Sequence, residues 1–145
     1  AHHADILEVG SLLIYKEGIN AIKQFKINFP QKQIFANTKI SENIQSAITL
    51  FAQAGANIIS ILAGIPHNTI KKAAEEAKKL DLSLVLDVID IPNASQISLD
   101  AKQLGIDIIL IHQPSIENDP ITTIVRLHGL MPSRGKIQNA QTAVC

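Results

Sequence analysis

The strongest constraint on the fold of this chain is a regular change of period in its hydrophobic residues. Five short runs are nearly continuously apolar and rich in β-branched residues, a pattern typical of parallel strands buried on both faces. They are Asp5–Gly10, Gln33–Thr38, Asn57–Ala63, Ser83–Ile89 and Ile106–His112. Between them, apolar residues recur at three- and four-residue spacing, which predicts amphipathic helices. This alternation predicts an α/β protein with a parallel sheet.

The βα unit repeats about every 25 residues. Helical spacing is found in Ile19–Phe29, Ile44–Phe51, Ile70–Leu80, Ala94–Leu104 and Pro120–Leu130. Two of these helices are followed by a glycine, Gly55 and Gly105, at the point where a left-handed residue ends a helix before the next strand. Repeated units with right-handed crossovers give either a doubly wound sheet or a (β/α)8 barrel. Five units are visible here, whereas a closed barrel has eight.

Composition excludes several classes of protein. A hydrophobic content of 46% predicts a folded chain. The 13 basic residues balance 13 acidic ones, and because the net charge is zero we expect neither nucleic acid nor a membrane as partner. The single cysteine, Cys145, excludes an internal disulfide framework. No apolar run approaches the ~20 residues of a membrane span, and the N-terminus lacks a signal-peptide pattern. We therefore expect a cytoplasmic protein that binds a small neutral or anionic molecule.

Polar residues mark the carboxyl ends of the predicted strands, where parallel βα folds place their chemistry. Glu8, Lys39, Asp87 and His112 are the candidates that this placement selects. A carboxylate within an apolar strand is unfavourable unless it is paired, binds a metal or faces a cleft. Lys39 could present a cation to an anionic intermediate, and His112 could act as an acid or base near neutral pH.

Each candidate also has a purely structural interpretation. Glu8 and Asp87 could form ion pairs inside the sheet, Lys39 could be a solvated loop lysine, and His112 could be a hydrogen-bonded core histidine. Ser41 is expected to cap the helix that begins near Glu42. Placement alone leaves these alternatives open.

A more specific signal is the stretch that begins at Asp5. It reads Asp-Ile-Leu-Glu-Val-Gly-Ser-Leu-Leu-Ile-Tyr-Lys-Glu-Gly, and it resembles the strand-to-helix segment of the hexulose-6-phosphate synthase and 3-keto-L-gulonate-6-phosphate decarboxylase family. That family lies within the orotidine-5′-phosphate decarboxylase superfamily of (β/α)8 barrels. The resemblance runs from about Ala4 to Leu127 and includes Leu-Asp-Val-Ile at strand four and a histidine at the end of strand five. It implies a partial TIM barrel of about five βα units.

The second strand carries the family's Asp-x-Lys-x-x-Asp pattern in altered form. Here it reads Asn37-Thr-Lys39-Ile-Ser-Glu42. The resemblance implies that Glu8 binds Mg²⁺, that Lys39 stabilises an enediolate, and that Glu42 reaches the partner subunit's site in a homodimer. It gives Asn37 the position of the second metal ligand, although a neutral amide is a weaker Mg²⁺ ligand than a carboxylate.

The resemblance implies a lyase that acts on a sugar phosphate. The reaction would be aldol addition of formaldehyde to ribulose 5-phosphate, or decarboxylation of a 3-keto sugar-acid phosphate, through a Mg²⁺-stabilised enediolate. His112 would assist proton transfer, and Asp87 and Asn37 would contact the substrate.

The domain organisation leaves room for other functions. We expect an incomplete barrel over residues 1–131 and a polar tail over 132–145, which would be a poor edge strand or unstructured. The family's Gly-Gly-Ile and Gly-x-Ala-Ile phosphate-binding segments do not occur in the chain. The alternative is therefore a catalytically inactive partial barrel that serves as a binding or oligomerisation module, and a flavodoxin-like module is a third possibility.

Overall fold

The computed structural model describes residues 4–89 and 94–110. In this part of the chain, helices lie between successive strands as the sequence predicts, with two helices rather than one between the first and second strands. The strands are β1 (Ile6–Val9), β2 (Gln33–Ile40), β3 (Ile58–Leu62), β4 (Ser83–Asp87) and β5 (Ile108–Leu110). The helices are α1 (Ser11–Glu17), α2 (Ile19–Asn28), α3 (Ile44–Gln53), α4 (His67–Lys79) and α5 (Ala94–Asp100).

The strands form one parallel sheet in the order β1-β2-β3-β4-β5, so each strand pairs with the next one along the chain. With the helices outside, the sheet curls into a half-barrel, which confirms the prediction of a partial TIM barrel. A doubly wound sheet would reverse its strand order at a switch point, and no reversal occurs within the described strands.

The two faces of the sheet carry different cores, because alternate side chains of a strand point to opposite faces. The helix-facing side packs Val9, Ile34, Ile59 and Leu84 into the large core, together with the apolar faces of the helices. The inner face carries a smaller cluster of four buried residues, Phe35, Ile58, Val85 and Leu110. The position two residues after each of the first three on its strand falls on the same inner face, and those positions are polar.

The joints before β3 and β5 are built alike, as their sequence similarity predicts. Gly55 has φ +100° and Gly105 has φ +81°, both in the region that favours glycine. Two residues later, Asn57 Oδ1 accepts a hydrogen bond from the backbone N–H of Ile34 at 3.0 Å. Asp107 Oδ2 accepts from the backbone N–H of Leu84 at 2.9 Å. In each joint, a side chain just before the new strand accepts a hydrogen bond from the neighbouring strand, which is β2 for β3 and β4 for β5.

The hydrophobic pattern missed one helix, and one expected helix cap is wrong. Helix α1 has no buried apolar stripe, since its Leu12 and Tyr15 are 82% and 70% exposed. The spacing of hydrophobic residues therefore did not predict this helix. Helix α3 begins at Ile44 with Asn43 as its N-cap, and no side chain caps it, so the expected Ser41 cap is wrong.

Several predictions fall on residues outside the described ranges. They include the end of strand five with His112, the helix over Pro120–Leu130 and the polar tail over 132–145. The proposed domain boundary at 131 therefore stays a prediction. Among the described helices, none combines the length and the apolar character needed to cross a bilayer.

Candidate active site

Buried polar side chains are concentrated at one place on the inner face of the half-barrel. Within residues 4–89 and 94–110, the buried polar or charged residues are Asn37, Thr38, Ser60 and Asp87. They lie on β2, β3 and β4, and all of them take part in one set of hydrogen bonds. Burying a polar group is unfavourable unless it is hydrogen-bonded, so a connected group of this kind marks a candidate site.

The backbone of β2 bends at this point to bring the site together. The pairing of β2 with β3 shifts register between Ala36 and Ile40, and Lys39 within this irregular stretch has φ +50°. The conformation is unfavourable for a residue with a Cβ, and two hydrogen bonds to Ser60 hold it. The backbone N–H of Lys39 donates to Ser60 Oγ at 3.0 Å, and Thr38 Oγ1 donates to the Ser60 carbonyl at 2.6 Å. Irregular strand pairing often re-aims a side chain beside an active site.

The re-aimed Lys39 side chain reaches across β3 to β4. Its Nζ lies 2.9 Å from Asp87 Oδ2, in an ion pair whose lysine is 17% exposed and whose carboxylate is completely buried. The other oxygen, Asp87 Oδ1, accepts a hydrogen bond from the backbone N–H of Ile89 at 3.0 Å. Lys39 is therefore not a solvated loop lysine, and Asp87 has the ion-pair partner that a buried carboxylate requires.

Glu8 joins the same network through Asn37. Asn37 Nδ2 donates to Glu8 Oε1 at 2.8 Å, and Ser60 Oγ donates to Asn37 Oδ1 at 3.0 Å. Glu8 is partly buried, while Asn37 is 4% exposed. Four of the predicted site residues, on three strands, are thus linked through Ser60.

The donor set at Glu8 fits a magnesium ion poorly. Mg²⁺ takes oxygen ligands in near-octahedral geometry. Glu8 offers a carboxylate, but Asn37 turns its amide nitrogen toward that carboxylate and engages its amide oxygen with Ser60. The pair does not present two oxygens to a common point, and Mg²⁺ binding by this chain stays a prediction.

Two predicted residues remain, and the structure describes one of them. Glu42 is exposed in the loop between β2 and α3, and His112 lies outside the described residues. Ser60, which links Asn37 to Lys39, was not predicted as a site residue. Its signal in the sequence is a single hydroxyl within the apolar run Ile58–Leu62, on the same face as Ile58.

A known family matches this chain in sequence and shares its fold. The family model described as "Orotidine 5'-phosphate decarboxylase / HUMPS family" matches residues 1–133. The 3-hexulose-6-phosphate synthase of Bacillus subtilis (strain 168) is 31% identical over 149 aligned residues, which cover 98% of this chain and 67% of the relative.

Solved structures agree with the sequence comparisons. The 3-hexulose-6-phosphate synthase of Salmonella typhimurium superposes with a TM-score of 0.80 at 25% identity, over 98% of this chain and 66% of that protein. The 3-keto-L-gulonate-6-phosphate decarboxylase of Vibrio cholerae has the same fold, with a TM-score of 0.73 at 21% identity, over 90% of this chain and 56% of that protein. The chain spans about two thirds of the length of the two synthases. It belongs to the orotidine 5'-phosphate decarboxylase / HUMPS family.

Proposed function

We propose that this chain forms part of a carbon–carbon lyase site of the 3-hexulose-6-phosphate synthase type, which joins formaldehyde to ribulose 5-phosphate. The observation that carries the proposal is the Lys39 ammonium, held 2.9 Å from a completely buried aspartate on the inner face of the half-barrel. Family membership and the 3-hexulose-6-phosphate synthase relatives support the choice of reaction.

The reaction needs an anion to be stabilised beside a ketone. Removal of a proton from C1 of ribulose 5-phosphate leaves an enediolate across C1 and C2. Its C1 then forms a bond to the carbon of formaldehyde, and the oxygen of the former aldehyde takes up a proton. A fixed, poorly solvated cation such as the Lys39 ammonium stabilises the negative charge as it develops on the enediolate oxygen.

The other groups of the network have supporting roles in this proposal. Asp87 fixes the position of the ammonium and contacts the substrate together with Asn37, and Glu8 lies at the far end of the same network. His112 would move the proton, and the exposed Glu42 would act in the site of a partner subunit in a homodimer. The enzyme would act in the cytoplasm on a soluble sugar phosphate.

A decarboxylase reaction on a 3-keto sugar-acid phosphate would use the same groups. Loss of CO₂ breaks the bond between the carboxyl carbon and its neighbour, and the electron pair of that bond enters the same kind of enediolate. The carbon that lost CO₂ is then protonated. Both reactions pass through an enediolate that Lys39 stabilises. They differ in the partner of the enediolate carbon, which is formaldehyde in the synthase reaction and a proton in the decarboxylase reaction.

The test is turnover in a variant that keeps the ion pair. Lys39→Arg retains a cation beside Asp87 but moves the positive charge, and a displacement of about 1 Å at a reacting centre lowers the rate about 100-fold. The matched control is Lys79→Arg, because Lys79 forms a 3.0 Å pair with Glu76 on the surface of α4. Product formation from ribulose 5-phosphate and formaldehyde is followed by carbon NMR. Equal turnover in the two variants would contradict the proposal.

A second candidate function is binding of a sugar phosphate without turnover. The amide of Asn37 favours it, because the resemblance implies a carboxylate at that position. Calorimetry with ribulose 5-phosphate, run beside the carbon NMR assay with ribulose 5-phosphate and formaldehyde, distinguishes the two. Saturable binding without product supports the binding module, whereas binding with product supports the lyase.

A further inference from the structure

The hydrogen bonds around Asn37 have a defined direction, because each donor and acceptor in them can be assigned. Ser60 Oγ accepts from the backbone N–H of Lys39 at 3.0 Å, so its own hydrogen is directed elsewhere. That hydrogen goes to Asn37 Oδ1, also at 3.0 Å. Asn37 Nδ2 then donates to Glu8 Oε1 at 2.8 Å. The donors run in one direction, from the β2 backbone through Ser60 and Asn37 to Glu8.

This order fixes which way the Asn37 amide faces. The Glu8 carboxylate only accepts hydrogen bonds when ionised, so the atom 2.8 Å from it must be the NH₂ group. The Ser60 hydroxyl, which accepts from the Lys39 N–H, gives its one hydrogen to the amide oxygen on the other side of Asn37. The two contacts agree, and turning the amide over would place its oxygen against the Glu8 carboxylate, with no hydrogen between the two acceptors.

A divalent cation between Glu8 and Asn37 would require that reversed arrangement. The amide oxygen would have to leave Ser60 and face the metal, and the NH₂ group would have to leave Glu8. Because Asn37 is 4% exposed, water cannot readily replace the two lost hydrogen bonds. An aspartate at position 37 would behave differently. It could still accept from Ser60, but it would place a carboxylate against that of Glu8, where like charges repel unless a cation lies between them.

We propose that the Asn37 amide takes the place of a divalent cation beside Glu8, so that this end of the site is assembled without metal. A single Asn37→Asp substitution would then create a cation-binding site at the same position. The inference concerns assembly and metal binding, and it stands whether or not the chain turns over a sugar phosphate.

The experiment uses Mn²⁺ as a paramagnetic probe and compares the native chain with Asn37→Asp. Electron paramagnetic resonance measures bound Mn²⁺ directly, and thermal unfolding with and without Mg²⁺ measures the effect on the fold. We expect Asn37→Asp to bind Mn²⁺ at least about tenfold more tightly than the native chain, because a carboxylate replaces a neutral amide. We also expect its melting temperature to rise with Mg²⁺, while that of the native chain stays unchanged.

The matched control is the double variant Glu8→Gln, Asn37→Asp. Its new glutamine amide can donate to the new aspartate, which restores a hydrogen bond of the opposite polarity without a metal. We expect this variant to lose both the Mn²⁺ affinity and the Mg²⁺-dependent stability of the single variant.

Two results would overturn the proposal. The first is Mn²⁺ binding by the native chain that Glu8→Gln removes, because it would place a cation at the native pair. The second is a single variant with no more affinity for Mn²⁺ than the native chain. If Asn37→Asp does not fold in the absence of metal, circular dichroism during a Mg²⁺ titration gives the same answer: folding with added cation supports the proposal, and no folding contradicts it.

Discussion

Replacing Lys39 with methionine removes the ammonium from the ion pair at the centre of the site. Methionine keeps a long unbranched side chain of similar reach, so the change deletes charge rather than volume. Asp87, with no exposed surface, would keep the hydrogen bond from the Ile89 N–H but lose the cation 2.9 Å away. A buried carboxylate in that state is strongly unfavourable.

The structure sets the size of the effect. Removing one partner of a buried ion pair lowers the free energy of unfolding by about 3–5 kcal/mol. Because the Lys39 side chain is 17% exposed, water reaches one side of the pair, and we expect a loss near the lower limit, about 3 kcal/mol. For a domain with a urea m-value of about 1–3 kcal/mol/M, the unfolding midpoint would fall by about 1–3 M.

Urea unfolding followed by circular dichroism measures this loss, and Lys79→Met is the matched control. Its ion pair with Glu76 is 3.0 Å long, but its side chain is 71% exposed, and such surface pairs contribute less than about 1 kcal/mol. The two variants thus make the same substitution in pairs of nearly equal length and different burial. Equal midpoints for them would refute the argument that burial makes the Lys39–Asp87 pair strong.

Two further variants test the parts that hold the site in place. Ser60→Ala removes the acceptor of the Lys39 N–H and the donor to Asn37. It should lower the free energy of unfolding by about 1–3 kcal/mol. The control Ser83→Ala, at the start of β4, should change that free energy by less than about 0.5 kcal/mol in the same urea assay. Gly55→Ala should cost about 1–2 kcal/mol, because φ is +100° and the new Cβ would lie 2.8 Å from Lys26 Cγ. Gly10→Ala is its control, since a Cβ there meets nothing within 4 Å and thermal unfolding should change little.

Much of the fold could be predicted because it depends on local pattern. The apolar runs around Ile34, Ile59 and Leu84 lie at the centre of the sheet, and the glycines at 55 and 105 have the positive φ that their position requires. Helix α1 could not be predicted in the same way, because its exposed Leu12 and Tyr15 follow no buried stripe. A period of hydrophobic residues reports burial against the core, and α1 buries only Ile14.

The candidate site was predicted as a set of strand ends, without its connections. Glu8, Lys39 and Asp87 were selected by position and Asn37 by the family resemblance, and the structure places all four in one network. Their partners depend on the register of three strands and on the irregular backbone at Lys39, which no local pattern encodes. Ser60 was missed for the same reason, since a serine in a strand becomes informative only when the side chains opposite it are known.

The proposed function requires that a sugar phosphate binds over the inner face, at the network that joins Glu8 to Asp87. The most direct measurement is a titration of the isotope-labelled chain with ribulose 5-phosphate, followed by amide chemical shifts. We expect saturable shifts concentrated at five residues of the network, Glu8, Asn37, Lys39, Ser60 and Asp87. Saturable shifts confined to the amino ends of the strands, or no saturable shifts at all, would contradict it.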